Sequence, residues 1–205
     1  MRPRASRVRP GGSETMIWKR IFGRQRGEEE AFSLYRAVVA QARLPALYLH
    51  GGVPDTVEGR FEMVSLHVFM VLRRLRDGGA DGRALGQRIF NVLFDDMDQT
   101  LREMGVGDLS VGKKIKGLAS SFYGRIGAYE EGLRAEGDAV LAGAIARNVY
   151  GDPAMTDRAA ALAAYVRRCD AALAVQSYDD IAAGHVVFVA PPAATGAAAA
   201  HVAGT

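Results

Sequence analysis

Cysteine is almost missing from this sequence: Cys169 stands alone in 205 residues, so no disulfide can close within the chain. Its place in an apolar pattern with Leu162, Val166 and Leu173 suits a small core residue and predicts a reducing, cytoplasmic setting. Long apolar runs are missing as well. The longest uncharged run near a helix centre, Met63 to Leu72, is far shorter than the roughly 20 residues needed to span a bilayer. The basic start has neither an apolar h-region nor a small-residue cleavage site, so it does not read as a secretory signal. Serine, cysteine and the four histidines are too scattered to nominate a catalytic triad. The turns GGADG and GVG follow no strand and lead into no GK[ST], which excludes a phosphate loop.

What is present is apolar mass. A hydrophobic content of 49% over 205 residues predicts one domain. A body of this size buries roughly 70% of its unfolded surface. The formal net charge of +3 is unevenly placed: residues 1–26 hold eight Arg or Lys against Glu14 alone, which leaves the remainder at −4. A mildly acidic body with a basic leader argues against a nucleic-acid-binding domain, so no DNA partner is expected, and leaves the leader as the only strong anion-seeking element. Met16 is a second possible start, which would make residues 1–15 an extension.

Helical periodicity organises the rest. Glu28 to Arg43 reads as a first helix with Phe32, Tyr35, Val39 and Ala42 on one face, stopped by Pro45; Tyr48 and Leu49 then fold back on the core. Asp55, with Glu58 three residues on, forms a capping box for a helix to about Arg76. Phe61, Val64, Val68, Val71 and Leu75, with Met63, Leu66 and Met70 nearly closing the circle, make that helix the central one. His67 in its middle reads as a satisfied core histidine. After the turn RDGGADG, Leu85 to Met104 places Phe90, Phe94, Met97, Leu101 and Met104 on a stripe widened by Ile89 and Leu93. Gly105 stops it.

A further helix to about Leu133 puts Val111, Ile115, Leu118, Phe122, Ile126, Tyr129 and Leu133 on its apolar side. Its other side carries Lys113, Lys116, Gly117, Ser120, Gly124 and Gly127. Each interior glycine costs a helix roughly 1 kcal/mol relative to alanine, so three on one face predict close approach of another backbone. That backbone is either a neighbouring helix of this chain or an external partner. Asp138 and Thr156 read as caps of two last helices, and Gly151 with Pro153 separates them. From Ser177 the pattern fails; Val186 to Val189 has the composition of a short strand, and the Ala-rich remainder reads as a flexible tail. The prediction is all-α: a basic leader at 1–26, one compact domain of about six helices at 27–176, and a tail at 177–205.

Two charged features compete for chemistry. Asp95, Asp96 and Asp98 invite a magnesium–diphosphate reading, and a small helical metal-dependent enzyme using Asp95 and Asp98 is the alternative function. Their spacing is wrong for it, since Asp96 lies around the helix, and no second acidic cluster faces them. The better reading is a structural ion-pair cluster of Asp95, Asp98, Arg102 and Lys114: Asp98 pairs with Arg102 at i, i+4, and Asp95 or Asp98 meets Lys113, Lys114 or Lys116 across the turn. In the leader, Trp18, Lys19, Arg20, Phe22 and Arg24 form either a short amphipathic contact for anionic lipid or ribosomal RNA, or an unstructured basic start.

The runs VPDT, GRFEM, DMDQTLREMGVGDLSV, KKIK and FYGR, spread over about residues 30 to 150, resemble the ubiquinol–cytochrome c chaperone family. The resemblance implies an all-helical assembly factor, not an enzyme and without a cofactor, that helps newly made cytochrome b mature into the bc1 complex. It implies as partners the cytochrome b client and, by analogy with mitochondria, a small helical partner protein and the ribosome. A peripheral position at the inner face of the cytoplasmic membrane would suit that role.

Overall fold

The computed structural model describes residues 12–192, with side chains from residue 27 onward. Its helices are α1 (Gly12–Ala42), α2 (Pro45–Leu49), α3 (Val57–Leu75), α4 (Gly79–Glu103), α5 (Asp108–Arg134), α6 (Ala139–Ile145), α7 (Thr156–Ala174) and α8 (Tyr178–Ala182). No strand occurs among the described residues, and no helix among them is long and apolar enough to cross a membrane. The six expected helices are all there, joined by the short α2 and α8.

α3 is the axis of the fold. Thirteen of its nineteen residues are buried, and α1, α4 and α7 pack around it. Such all-round burial follows from a helix apolar on nearly every side. Its cap differs from the expectation: Thr56, not Asp55, is the N-cap, its Oγ1 accepting from Gly59 N at 3.1 Å. Asp55 instead accepts from Arg60 Nε at 2.6 Å.

The face of α1 is rotated from the expected one. Ala31, Leu34, Tyr35, Val38 and Ala42 are buried, whereas Phe32 is 55% exposed. In α2, Leu47 goes inside and Leu49 stays out, while Tyr48 is half-buried with its hydroxyl donating to Ala42 O at 2.9 Å. Helix α4 begins at Gly79, six residues before the expected start, because RDGGADG forms a 3-10 turn and then a helical one. Glycine is required there by packing: a Cβ on Gly82 would meet Leu75 O at 1.8 Å, and one on Gly78 would overlap the Tyr178 ring.

Charged side chains tie the helix ends together. Arg167 of α7 donates to the carbonyls of Gly132, Leu133 and Ala135 at 2.9, 3.1 and 3.0 Å, and to Gly137 O. It thereby caps the C-terminus of α5, whose last carbonyls have no helical donors. The Asp138 carboxylate accepts from Arg167 Nε at 2.6 Å and makes no cap bond to α6, contrary to the expectation. Thr156 is likewise the first helical residue of α7 and does not cap it. Glu130 receives Arg73, Arg76 and Arg134 at 2.5, 3.0 and 3.0 Å, joining α5 to α3.

Residues 177–192, expected as part of a flexible tail, lie on the folded body. α8 follows, and residues 185–192 cross the body without regular secondary structure, with Val186, Phe188 and Val189 packed on the core. The Gln176 amide brackets Val187, donating to its carbonyl at 2.7 Å and accepting from its N–H at 2.9 Å. With no neighbouring strand to pair with, the expected strand at Val186–Val189 does not form.

Candidate partner-binding surface

α4 and α5 form a hairpin whose inner sides meet. Ile89, Leu93 and Phe94 of α4 face the core, and Phe122 of α5 closes over them at 1% exposure. Phe90 stands 4.6 Å from Phe94, 5.7 Å from Phe122 and 5.4 Å from Tyr123 between ring centroids, a cluster that locks the register of the two helices. The α4 stripe drifts outward with distance from α3, so that Met104 ends 57% exposed.

The outer side of α5 has no cover. Lys113, Lys116, Gly117, Ser120, Gly124 and Gly127 are all exposed, and a Cβ added to Gly117, Gly124 or Gly127 would meet nothing within 4 Å. Internal close packing therefore does not explain these three glycines. The internal close approach falls elsewhere, at Gly132, where a Cβ would lie 2.7 Å from Leu141 Cα at the α5–α6 crossing.

Beside this face lies a groove of about 380 Å³ bounded by the start of α3, the end of α4 and α5. Phe61, Met97, Leu101 and Leu118 give it apolar walls, and Lys114 and Gly117 stand on its α5 side. The groove also reaches Glu62 and Arg125, which are held bidentately, with Arg125 Nε 2.5 Å from Glu62 Oε2. Arg125 also sits 5.9 Å from the Phe61 ring centre. Burial raises the Glu62 carboxyl against the lowering effect of Arg125. The sequence reading missed this groove and this pair. The available signal was Glu62 itself, an acid inside the apolar run of α3, which demands a cation from another helix.

The three aspartates of α4 do not converge. Asp98 accepts from Arg102 Nε at 2.5 Å, as expected from the i, i+4 spacing. Arg102 also reaches Asp108 across the turn, so the bridge to α5 runs through Asp108. Lys113, Lys114 and Lys116 make no ion pair among the described residues, and neither does Asp95, which lines a cleft with Arg88, Asn91 and Phe32. The expected cross-turn pairing fails because Asp95 faces the α1 side of α4, away from the hairpin turn. Asp96 accepts from the Tyr35 hydroxyl at 2.6 Å. Among the described residues, no group of three His, Cys, Asp or Glu is placed to hold a metal ion. The side chains of Trp18, Lys19, Arg20, Phe22 and Arg24 lie outside the described residues.

His67 is a core residue, as expected. Its Nδ1 donates to Met63 O at 2.8 Å and its Nε2 accepts from the Tyr165 hydroxyl at 2.8 Å, an assignment forced by the carbonyl, which can only accept. Cys169 is buried next to Tyr165, and burial raises its thiol.

The site is thus an uncovered helix face with a flanking groove on an all-helical body. The sequence profile of the family described as ubiquinol-cytochrome C chaperone matches residues 49–188, and the chain belongs to that family. The match runs beyond the segment that carries the sequence resemblance and takes in α7 and α8. The chain is 27% identical over 119 residues to the ubiquinol-cytochrome-c reductase complex assembly factor 1 of Xenopus laevis, over 58% of this chain and 59% of that protein. It is 29% identical over 120 residues to the Mus musculus protein of that name, over 58% of this chain and 40% of that one. The chain thus covers less than two thirds of the length of these relatives. The crystal structure of the Cbp3 homolog from Brucella abortus superimposes with a TM-score of 0.75 at 38% identity, covering 85% of this chain and 97% of that one.

Proposed function

We propose that this chain is an assembly factor of the ubiquinol–cytochrome c reductase complex that binds newly made cytochrome b and acts without catalysis. The relatives it matches are assembly factors of the ubiquinol–cytochrome c reductase complex by name, which supports the pathway. The observation that carries the mode of action is the exposed α5 face, where Gly117, Gly124 and Gly127 keep a helix surface flat with nothing packed on it. A flat face lets a second helix approach closely, which suits an apolar segment of a membrane protein before it has found its own neighbours. In this reading Lys113 and Lys116 flank the docked segment and the groove at Phe61, Met97 and Leu118 takes its projecting side chains. The leader residues Trp18, Lys19, Arg20, Phe22 and Arg24 supply a further contact, with ribosomal RNA or anionic lipid, at the inner face of the cytoplasmic membrane.

The test is affinity purification of the full chain from cells respiring through a bc1 complex, comparing the wild type with Gly124→Leu. Cytochrome b should accompany the wild type and be lost from the variant, while circular dichroism of the purified variant stays unchanged. Equal recovery of cytochrome b with both would place the client elsewhere.

A further inference from the structure

We propose that the tip of the hairpin, from Met104 to Lys116, is a contact for a membrane surface carrying anionic phospholipid headgroups. The observation is a combination at one corner of the molecule. Leu109 is 99% exposed in the first turn of α5, and Met104 at the end of α4 is 57% exposed. Just behind them on α5 stand Lys113, Lys114 and Lys116, three of the chain's four lysines. None of the three has an ion-pair partner among the described residues, whereas Arg60, Arg73, Arg74, Arg76, Arg125 and Arg167 are all paired.

The tip's carboxylates are already engaged. Asp98 and Asp108 share Arg102, and Glu103 accepts from Gln99 Nε2 at 2.9 Å. Counted with Arg102 and the three lysines, these carboxylates leave the tip a net charge of about +1, and the lysines are its cations without an ion-pair partner among the described residues. The shape decides which ligand: Gly105, at φ 81°, turns the chain so that Leu109 protrudes and nothing forms a pocket around it. Protein interfaces favour aromatic and arginine anchors and are depleted in lysine. A single protruding leucine with lysines one and two turns behind it on the same helix fits a lipid interface, where the apolar side chain enters the acyl boundary and flexible ammonium groups reach phosphates. The contact adjoins the client surface, with Lys113 and Lys116 at the shared edge, but its ligand is a lipid headgroup and it goes beyond the assembly reading.

The full chain carrying Trp18→Phe and Leu109→Trp reports on this tip alone, because its one indole then sits at position 109; circular dichroism confirms the fold. Phosphatidylglycerol vesicles should shift its emission to the blue, and phosphatidylcholine vesicles should not. Adding Lys113→Glu, Lys114→Glu and Lys116→Glu should weaken the partition by about tenfold or more. Vesicles that sediment the protein without an emission shift would place the contact elsewhere, as in the leader, and overturn the proposal. So would an equal shift on both lipids, or one that appears without lipid as protein concentration rises, which marks a second copy as the ligand.

Discussion

The Tyr165 hydroxyl donates to His67 Nε2 at 2.8 Å, and this bond joins α3 to α7 in the centre of the protein. The same hydroxyl oxygen accepts from Gln41 Nε2 at 2.9 Å, so α1 enters the chain of bonds, and Gln41 also holds Val189 O at 3.0 Å. Phe188 rests edge-on against the imidazole with ring centres 5.4 Å apart. A neutral imidazole is needed for this arrangement, and burial pushes His67 from the ordinary 6.5 down to about 4.

That shift fixes the sign of a pH dependence. Between about pH 6.5 and 4 the unfolded chain binds a proton at His67 and the folded chain does not, so stability falls as pH falls through this window. At roughly 1.4 kcal/mol per pH unit, the whole window is worth about 3 kcal/mol. Urea unfolding at pH 7 and pH 5 should show the loss, and His67→Gln should flatten it. An equal slope in the variant would assign the effect to other groups.

Two glycines of α5 should respond oppositely to alanine. Gly124→Ala adds a Cβ into open space and should stabilise by up to about 1 kcal/mol, through helix propensity alone. Gly132→Ala drives a Cβ to 2.7 Å from Leu141 Cα and should destabilise by roughly 1–3 kcal/mol. Thermal unfolding of the pair decides it; a loss of stability at Gly124 would mean that its face is covered.

Arg167→Ala should cost about 2–3 kcal/mol, since it uncovers the carbonyls that end α5 and releases Asp138. Arg167→Lys should not restore the loss, because one ammonium cannot reproduce a fork that meets several carbonyls at once. Denaturant midpoints of the two variants measure this, and full rescue by lysine would reduce the role to charge alone.

The Glu62–Arg125 pair predicts a non-additive cycle. Side-chain exposures of 8% and 19% mean that either group left alone would be a stranded charge, costing roughly 3–5 kcal/mol. Because burial holds the Glu62 carboxyl above its ordinary value even with Arg125 in contact, the pair itself adds little net stability. Glu62→Leu with Arg125→Met should accordingly be close to wild type by chemical denaturation, while each single change is severe. Additive losses would show the ion pair to be a net stabiliser.

The sequence by itself determined the all-helical class, the central place of α3, the core role of His67, the Asp98–Arg102 pair and the family. Each of these rests on local spacing, or on motifs long enough to be specific. It did not determine which residues of a helix turn inward when two stripes were equally apolar. Phe32, Tyr35, Val39 and Ala42 form as good a stripe as Ala31, Leu34, Tyr35, Val38 and Ala42, and only contact with α3 and α4 selects the second. The start of α4 differs from the expected one for a related reason: glycine at 78 and 82 argues locally against a helix, but the Tyr178 ring at the first and the Leu75 carbonyl at the second make small residues necessary there.

The functional surface depended on tertiary structure most of all. Glycines spaced along one face of a helix read the same whether a neighbouring helix covers them or nothing does, because a missing side chain leaves no trace of what lies opposite. The fold decided that Gly132 is covered and that Gly117, Gly124 and Gly127 are open. It also brought Glu62 and Arg125, 63 residues apart, into one pair beside a groove that no local pattern encodes. Periodicity reports which side of a helix avoids water, whereas the identity of its neighbour is set by how all the helices pack at once.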